Sequence, residues 1–281
     1  MDKILIVGAN GFLGNYLINF LKNDHYVIGI YHKNTNNLHS NVKNIPISDI
    51  KKIERDFDYV FLLNASVITN KNISEKERNN LFTNNVVTTS LICEHFKNSR
   101  IVYCSSVSVY AKNNEIINEH SALGEQNEYG IAKLWAEHIV KKCARYAIVR
   151  CSSIYGEGML EKTILPIYIK QALKEKKIKI WGDGLRCQDY INVCDVAKYL
   201  WLAAKSNLND IFLSVYNKSY SNIEIAEIIS KYTNAEIVFE NEDKSPSFFY
   251  NNDYTQKKLL YSPQVNIENG IQSLIQWIKQ Y

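Results

Sequence analysis

The sequence has little glycine and proline, and it lacks any long uninterrupted apolar run. Of its 281 residues, 11 are Gly and 4 are Pro, which is too few for a collagen-like or Gly/Pro-rich disordered chain. No apolar run approaches the length that crosses a membrane, and the N-terminus shows no signal-type segment. We therefore expect a cytoplasmic globular protein that has no membrane partner.

The sequence also lacks a strong excess of one charge. Its 33 Lys and Arg residues face 29 Asp and Glu residues, giving a formal net charge of +4, and the basic residues are scattered. Nucleic-acid binding is therefore not expected. The six cysteines form no CxxC pair, and no two histidines stand at metal-ligand spacing, so we predict free thiols and no metal site.

Short β-branched or apolar runs alternate with longer helix-period segments through the first half of the chain. This alternation is typical of βαβ units that feed a parallel sheet. The predicted strands cover residues 3–7, 26–31, 59–63, 101–105 and 147–151, and the predicted helices cover residues 12–22, 76–97 and 129–143. The fold class we predict is α/β, with a doubly wound parallel sheet of the Rossmann type.

The rhythm changes after Gly156. We predict helices at residues 161–174, 195–204, 223–232 and 267–279, a strand at 189–193 and a further strand near Phe212. These pieces are too few and too mixed for a second sheet of equal size. We therefore predict a dinucleotide-binding domain over residues 1–160 and a small, mixed α/β substrate-binding lobe over 161–281, with residues 189–205 returning to the first domain.

The segment Gly8-Ala-Asn-Gly11-Phe-Leu-Gly14 follows a predicted strand directly and opens a predicted helix. In that context the first glycine permits a tight turn, the second lets the backbone approach a pyrophosphate, and the third lets the helix pack closely on the strand. The pattern predicts that a dinucleotide binds here. The contacts that we expect from this segment are Gly8, Asn10, Gly11, Phe12, Leu13 and Gly14.

The end of the second strand bears on the choice of cofactor. An acidic residue there would bind the 2′-hydroxyl of the adenosine ribose, but residues 26–39 contain no acid and offer Tyr31, His32 and Lys33. Because Lys33 and His32 could pair with a 2′-phosphate, we expect NADP rather than NAD. Asn64 and Ala65, which follow the next strand of this domain, are further expected cofactor contacts.

Tyr129 and Lys133 stand four residues apart at the start of a predicted helix, so both project from one face. A nearby ammonium favours the phenolate, which predicts a lowered pKa and an acid or base role for Tyr129. Ser106 ends the strand before this helix, where a doubly wound fold places its ligands. The order of glycine motif, serine and Tyr-x-x-x-Lys is hard to attribute to chance.

With these motifs in place, the chain resembles the extended short-chain dehydrogenase/reductase family, in its NAD(P)-dependent nucleotide-sugar epimerase, dehydratase and 4-ketoreductase group. Further similar segments are Asn85-Val86, Trp181-Gly-Asp-Gly184, Asp195-Val196-Ala197 and the tail from Asp253 through Pro263 to Gly270. The resemblance implies a catalytic trio. Ser106 would hold the sugar oxygen, Tyr129 would exchange the proton, and Lys133 would hold the nicotinamide ribose and tune Tyr129.

The resemblance also narrows the reaction. Dehydratases of this group carry an acid pair just after the catalytic hydroxyl, where this chain has Val107 and Ser108, and Val107 and Gly158 do not fit the two-centre epimerases. We therefore expect an NADPH-dependent 4-ketoreductase of a nucleotide-activated deoxysugar in surface-polysaccharide synthesis, with Tyr129 as proton donor. The alternatives are an NAD-dependent nucleotide-sugar 4-epimerase and a non-catalytic NAD(P)-binding sensor.

The expected partner is a nucleotide-diphosphate sugar. Family members grip the diphosphate with an arginine just before the Asp-Tyr strand; here Gln188 has that place, and Arg186 is the candidate. Ser106, Ser153, Tyr155 and Gln188 are further expected substrate contacts. The resemblance also implies a homodimer that packs through the Tyr129 helix and residues 76–97, with Val87, Leu91 and Leu134 as possible contacts.

Overall fold

The computed structural model describes residues 1–67, 73–111, 116–124 and 127–280. Its strands are, in chain order, β1 (Lys3–Val7), β2 (Tyr26–Tyr31), β3 (Lys43–Pro46), β4 (Tyr59–Leu62), β5 (Arg100–Ser106), β6 (Tyr146–Cys151), β7 (Ser153–Tyr155), β8 (Lys177–Trp181), β9 (Cys187–Asn192), β10 (Asp210–Ser214), β11 (Ser219–Ser221) and β12 (Glu236–Glu240). Its α-helices are α1 (Phe12–Leu21), α2 (Glu75–Phe82), α3 (Thr88–His95), α4 (Glu128–Val140), α5 (Ile164–Lys174), α6 (Val193–Lys205), α7 (Asn222–Thr233), α8 (Asp253–Leu259) and α9 (Ile267–Ile278).

Seven strands form one parallel sheet in the order β10-β6-β5-β4-β1-β2-β3. The chain moves outward from β1 through β2 to β3, and then crosses back to β4 on the other side of β1. This reversal places a crevice at the carboxyl ends of β1 and β4, which is where doubly wound sheets bind their ligands. The predicted fold class is confirmed.

Helices cover both faces of this sheet. On one face, α1 and α6 bury an apolar layer that includes Leu17, Val149 and Leu200. On the other face, α3 and α4 bury a layer that includes Ile92 and Ala136. Because both faces are covered, the central strands read as continuous apolar runs.

The second half of the chain adds a smaller unit and also contributes to the large sheet. Strands β7, β9 and β11 form a three-stranded sheet, and β8 and β12 form a parallel pair. With α5, α7 and α9 they enclose a separate core around Ile169, Ile225 and Leu274. The strand predicted near Phe212 is β10, which pairs with β6 at the edge of the large sheet, and α6 packs beside α1.

The helix predicted over residues 76–97 consists of α2 and α3, separated by a π-helical turn, Thr83–Val87. Such turns insert one extra residue into a helix and often occur at functional sites. Among the residues that the structure describes, no helix is long and apolar enough to span a membrane.

Candidate active site

A cleft of about 200 Å³ opens at the carboxyl ends of β1, β2 and β4, and we call it the switch-point cleft. It contains seven of the residues predicted to bind a dinucleotide. Its lining residues are Val7, Gly8, Asn10, Gly11, Ile30, Tyr31, His32, Ile47, Leu63, Asn64, Ala65, Asn84 and Thr88.

The glycine turn forms the floor of this cleft. Gly8 has φ +88°, and a Cβ there would lie 3.0 Å from the backbone nitrogen of Asn64. A Cβ on Gly14 would lie 2.2 Å from the carbonyl oxygen of Gly8, so the helix approaches the turn more closely than any other residue would allow. Because Gly11 is the residue before α1, no side chain from that position occupies the helix N-terminus, where an anion binds favourably.

Several predicted cofactor contacts lie outside the switch-point cleft. Gly14 packs against the backbone of Gly8, and Leu13 packs against the core between the sheet and α1. Phe12 packs its ring against Tyr16, with 5.6 Å between ring centres, and lines a neighbouring surface groove. Lys33 is exposed and is not among the described lining residues.

The π-helical turn completes the cleft from the opposite side. Asn84 lies in this turn, and its carbonyl oxygen accepts a 2.5 Å hydrogen bond from the side-chain amide of Asn64. The other side-chain atom of Asn64, Oδ1, is buried and has no hydrogen-bond partner among the described residues. A buried acceptor without a partner, the backbone cradle at Gly8 and the open helix N-terminus together fit a bound dinucleotide.

A second cleft, of about 300 Å³, lies between the carboxyl end of β5 and the smaller unit, and we call it the lobe cleft. Four of the predicted substrate contacts line it: Ser106, Ser153, Arg186 and Gln188. Its full lining is Ser106, Val107, Ser108, Tyr110, Asn127, Cys151, Ser152, Ser153, Arg186, Gln188, Phe248 and Tyr250.

The prediction for Tyr155 is corrected by the structure. Tyr155 is 1% exposed and packs in the core of the smaller unit, with its hydroxyl donating to the carbonyl of Asn266 at 3.5 Å. Its ring fills the space above Gly270, where a Cβ would lie 2.1 Å from the Tyr155 hydroxyl. Tyr155 therefore joins α9 to the smaller unit and does not face the lobe cleft.

The three predicted catalytic residues meet at the end of β5. Asn127 caps α4 by accepting a 2.9 Å hydrogen bond from the Gly130 amide, which places Tyr129 in the first helical turn and Lys133 in the next. Ser106, the last residue of β5, lies close enough to Tyr129 for its hydroxyl to lower the pKa of the phenol. The ammonium of Lys133 donates to the Cys104 carbonyl at 2.8 Å and lies 5.8 Å from the centre of the Tyr129 ring.

Burial changes both titrating groups in directions that the sequence did not predict. It raises the pKa of Tyr129 above the ordinary value, and the nearby Ser106 hydroxyl offsets this rise in part. The same desolvation lowers the pKa of Lys133. The expected lowering of the Tyr129 pKa by Lys133 is therefore outweighed, because the low-dielectric interior favours the neutral form of each group.

Arg186 is held at the mouth of the lobe cleft by two neighbours. It donates to the Gln188 side chain at 3.2 Å, and its guanidinium lies 3.8 Å from the Asp243 carboxylate. Its Nε is buried and has no partner among the described residues. Gln188 in turn donates to the Ser153 hydroxyl at 2.5 Å. An arginine whose Nε–H has no partner among the described residues can still bind an oxyanion.

Sequence reasoning missed residues in both clefts. Ile47, Asn84 and Thr88 line the switch-point cleft from a 3₁₀ turn, from the π-helical turn and from the first residue of α3, respectively. Phe248 and Tyr250 line the lobe cleft from an irregular segment near the C-terminus. The Asn85-Val86 pattern lies next to Asn84 and Thr88 and could have indicated them. No sequence motif marks Phe248 and Tyr250, because long-range contacts position their segment.

The sheet order and the glycine turn at the switch point define a doubly wound α/β protein of the dinucleotide-binding class. A profile of the NAD dependent epimerase/dehydratase family matches residues 4–217. The chain belongs to this NAD-dependent family.

Two curated relatives illustrate the range of the family. A putative UDP-glucose 4-epimerase of Methanocaldococcus jannaschii is 26% identical, with 98% of each chain covered. A dTDP-D-glucose 4,6-dehydratase of Dictyostelium discoideum is also 26% identical, over 82% of this chain, which spans 62% of that protein.

Among solved structures, the UDP-glucuronic acid 4-epimerase of Bacillus cereus, in complex with UDP-glucuronic acid and NAD, superposes with a TM-score of 0.88 at 24% identity. The superposition covers 99% of both chains. The UDP-N-acetylglucosamine 4-epimerase of Methanobrevibacter ruminantium also gives a TM-score of 0.88, at 23% identity, covering 100% of this chain and 99% of that one. At these identities the likeness establishes the fold.

Proposed function

We propose that this protein is an NAD-dependent 4-epimerase of a nucleotide-diphosphate hexose. The observation that carries the proposal is that Ser106, Tyr129 and Lys133 come together at the carboxyl end of β5, where Ser106 lines the lobe cleft. Ser106 lines the lobe cleft, Tyr129 lies near enough to Ser106 for that hydroxyl to lower the pKa of the phenol, and Lys133 lies one helical turn further along α4. A sugar in the lobe cleft and a dinucleotide in the switch-point cleft would meet at this trio.

The chemistry requires a group that exchanges the proton of the C4 hydroxyl. In its phenolate form, Tyr129 takes that proton, and it returns the proton when the carbinol forms again on the other face. Ser106 holds the C4 oxygen by a hydrogen bond, and the ammonium of Lys133 favours the phenolate. NAD, when bound, supplies the acceptor for the hydride from C4 and gives the same hydride back.

The residues that would hold NAD line the switch-point cleft. The backbone at Gly8 and Gly11 and the N-terminus of α1 would hold the pyrophosphate, and Asn64 offers its unpaired oxygen to a donor. NADP, predicted from the basic end of β2, is not supported by the comparisons. Membership of an NAD-dependent family and the exposed position of Lys33 favour NAD.

A second candidate is the NADPH-dependent 4-ketoreductase. It is favoured by His32, which lines the switch-point cleft, and by the absence of any acid in residues 26–39. A dehydratase is not favoured because Val107 and Ser108 form a 3₁₀ turn after Ser106 and offer no carboxyl group there.

The test is an activity measurement on the purified protein. UDP-glucose, UDP-N-acetylglucosamine and UDP-glucuronic acid are each incubated with protein and NAD, and the product is identified by proton NMR. We expect inversion at C4 for at least one sugar, with no net consumption of cofactor. Oxidation of NADPH by an NDP-4-keto-6-deoxy sugar, without any C4 inversion of the three hexoses, would instead support the ketoreductase.

We also propose a homodimer formed through α4 and the π-helical turn. Phe82, Val87, Ile131 and Trp135 are large apolar side chains that are 41–53% exposed. The rings of Phe82 and Trp135 contact each other edge to face at 5.4 Å, so α2 and α4 present one patch. A patch of this kind on a soluble protein favours self-association. Leu91 and Leu134, by contrast, pack partly into the interior.

A further inference from the structure

A fully buried ion pair lies directly behind the catalytic trio. Glu137 is on α4, one turn after Lys133, and Arg150 is on β6. Arg150 Nε donates to Glu137 Oε1 at 2.9 Å, and one of its terminal nitrogens donates to Oε2 at 2.7 Å. The two side chains are 0% and 2% exposed.

Such a pair is not explained by stability alone. Removing two charges from water is costly, and apolar side chains of similar size usually serve a core equally well. What the pair touches is therefore more informative than the fact that it forms. The pair interacts with three parts of the proposed site: the end of β5, Lys133 on α4, and Tyr110 in the wall of the lobe cleft.

The first connection is to β5. The Ser105 hydroxyl donates to Glu137 Oε1 at 2.6 Å, and Ser105 is the residue before Ser106. Because this bond joins the end of β5 to α4, it fixes the strand end that carries Ser106 relative to the helix that carries Tyr129. Ser105 and Glu137 are buried, and Ser106 is half-buried.

The second connection is electrostatic. Lys133 is surrounded by Tyr103 and Cys104 of β5, Cys151 of β6, and Tyr129 and Glu137 of α4. Among these groups, Glu137 brings a carboxylate that is already paired with Arg150. Desolvation lowers the pKa of Lys133, and the fields of Cys104, Cys151 and Glu137, in decreasing order, oppose that lowering.

The third connection is to the wall of the lobe cleft. The guanidinium carbon of Arg150 lies 4.7 Å from the centre of the Tyr110 ring, and Tyr110 lines that cleft. A guanidinium stacked on an aromatic face restrains the ring. The ion pair therefore contacts the β5 end, the catalytic helix and one wall of the substrate site.

We propose that Glu137 and Arg150 are positioning residues that hold Ser106 in register with Tyr129, place a paired carboxylate one helical turn from Lys133 and fix the Tyr110 wall. The proposal rests on the proposed function for its kinetic readout alone. A second readout, the affinity for NAD in the absence of sugar, depends on Lys133 and on no assumption about the substrate.

The deciding experiment replaces both partners at once. Glu137→Met/Arg150→Met removes both charges with little change in volume, so the fold should stay as stable as the parent. We expect kcat to fall by about 10- to 100-fold with little change in KM, because the reacting groups lose their alignment. We also expect NAD to bind more weakly and the basic limb of the pH profile to move to lower pH.

Two further variants keep the test decisive. Ser105→Ala removes only the hydrogen bond to Glu137 and should lower kcat in the same direction, so it replaces the double variant if that protein does not fold. Asp195→Asn is the matched control, because Asp195 is a buried carboxylate that binds Tyr261 and the backbone of Gln264, away from the site. It should reduce stability and leave kcat and the pH profile unchanged.

The outcomes separate the two proposals. If the folded double variant keeps the parent's kcat, NAD affinity and basic limb of the pH profile, the ion pair has only a structural role. A Ser105→Ala enzyme with the parent's kcat would lead to the same conclusion. If the parent protein turns over none of the sugars, the proposed function fails. NAD affinity, measured by tryptophan fluorescence, then still tests whether the ion pair positions Lys133.

Discussion

At the scale of single residues, burial acts on Tyr129 and Lys133 in a direction opposite to what catalysis needs. Desolvation raises the pKa of the phenol and lowers the pKa of the ammonium, so the interior favours two neutral groups. The reaction needs a phenolate beside an ammonium. The Ser106 hydroxyl opposes the effect of burial on Tyr129, and the fields of Cys104, Cys151 and Glu137 oppose its effect on Lys133. An oxidised cofactor would bring a further positive charge.

Tyr129→Phe is expected to remove the group that exchanges the proton and to keep the fold. Turnover should fall by about 10²- to 10⁴-fold, the usual contribution of a positioned acid or base, while NAD affinity stays close to that of the parent. Steady-state kinetics and a fluorescence titration measure the two effects. Tyr26→Phe, at an exposed site on β2, is the control and should match the parent; equal turnover in the two variants would contradict the assignment.

The pH dependence follows from the same two groups. On the acid side, kcat/KM should rise with pH because Tyr129, whose pKa burial raises, must lose its proton to act as a base. On the basic side it should fall, because Lys133, whose pKa burial lowers, loses the charge that favours the phenolate. A pH series of initial rates measures this bell shape. A profile that stays flat through neutral pH would be inconsistent with both roles.

At the scale of elements, the glycine turn has two functions that can be separated. A Cβ on Gly14 would lie 2.2 Å from the Gly8 carbonyl oxygen, whereas one on Gly11 would lie 3.2 Å from that atom, at the residue that lines the switch-point cleft. Gly14 therefore supports the packing of α1 on β1, and Gly11 supports the approach of the dinucleotide.

Gly14→Ala should accordingly lower the free energy of unfolding by about 1–3 kcal/mol or more, because the clash is with backbone. Gly11→Ala should cost about 1 kcal/mol or less, and should weaken NAD binding. Urea denaturation and a fluorescence titration with NAD measure the two quantities. A larger loss of unfolding free energy in Gly11→Ala than in Gly14→Ala would contradict the close packing of α1 on the turn at Gly14.

The sequence predicted the elements whose pattern is local. The limits of β1 and β2 match the predicted residues 3–7 and 26–31, because these buried parallel strands read as apolar runs. The glycine motif was recognised from its spacing between a strand and a helix, whereas the roles of Ser106, Tyr129 and Lys133 came from the family resemblance and stay predictions. The glycine motif and Ser106 each lie at the end of a strand, so the neighbouring residues in the sequence determine their position.

The elements that were missed depend on partners far along the chain. β8 alternates Lys and Ile but pairs with β12, more than fifty residues away, and both are partly exposed. β3 is an edge strand that ends in Pro46, a residue that argues against a strand in sequence reading. Tyr155 was misassigned because a motif gives a position and not the direction of the ring.

At the scale of the whole molecule, the exposed apolar patch is formed by α2, the π-helical turn and α4, and α4 also carries the proposed catalytic residues. Trp135 and Ile131 lie on α4, the helix that also carries Tyr129 and Lys133. A dimer through this patch would cover the apolar surface and hold the helix that positions the catalytic pair.

Trp135→Glu should therefore halve the molecular mass in solution, because a charge would be buried in the dimer contact. Size-exclusion chromatography with light scattering measures the mass. Trp181→Glu is the matched control, since Trp181 is 58% exposed on the smaller unit and lies outside the patch. A monomeric parent protein, or dissociation by the Trp181 variant alone, would refute the proposed dimer.

The most direct test of the proposed 4-epimerase is the fate of the hydrogen on sugar C4. A nucleotide hexose that the enzyme converts is prepared with deuterium at C4, and the reaction is run in ordinary water with NMR detection. Because the same hydride leaves C4 and returns to it, we predict that the inverted product keeps its deuterium at C4. Inverted product with that deuterium replaced by solvent hydrogen, or no inverted product at all, would contradict the proposal.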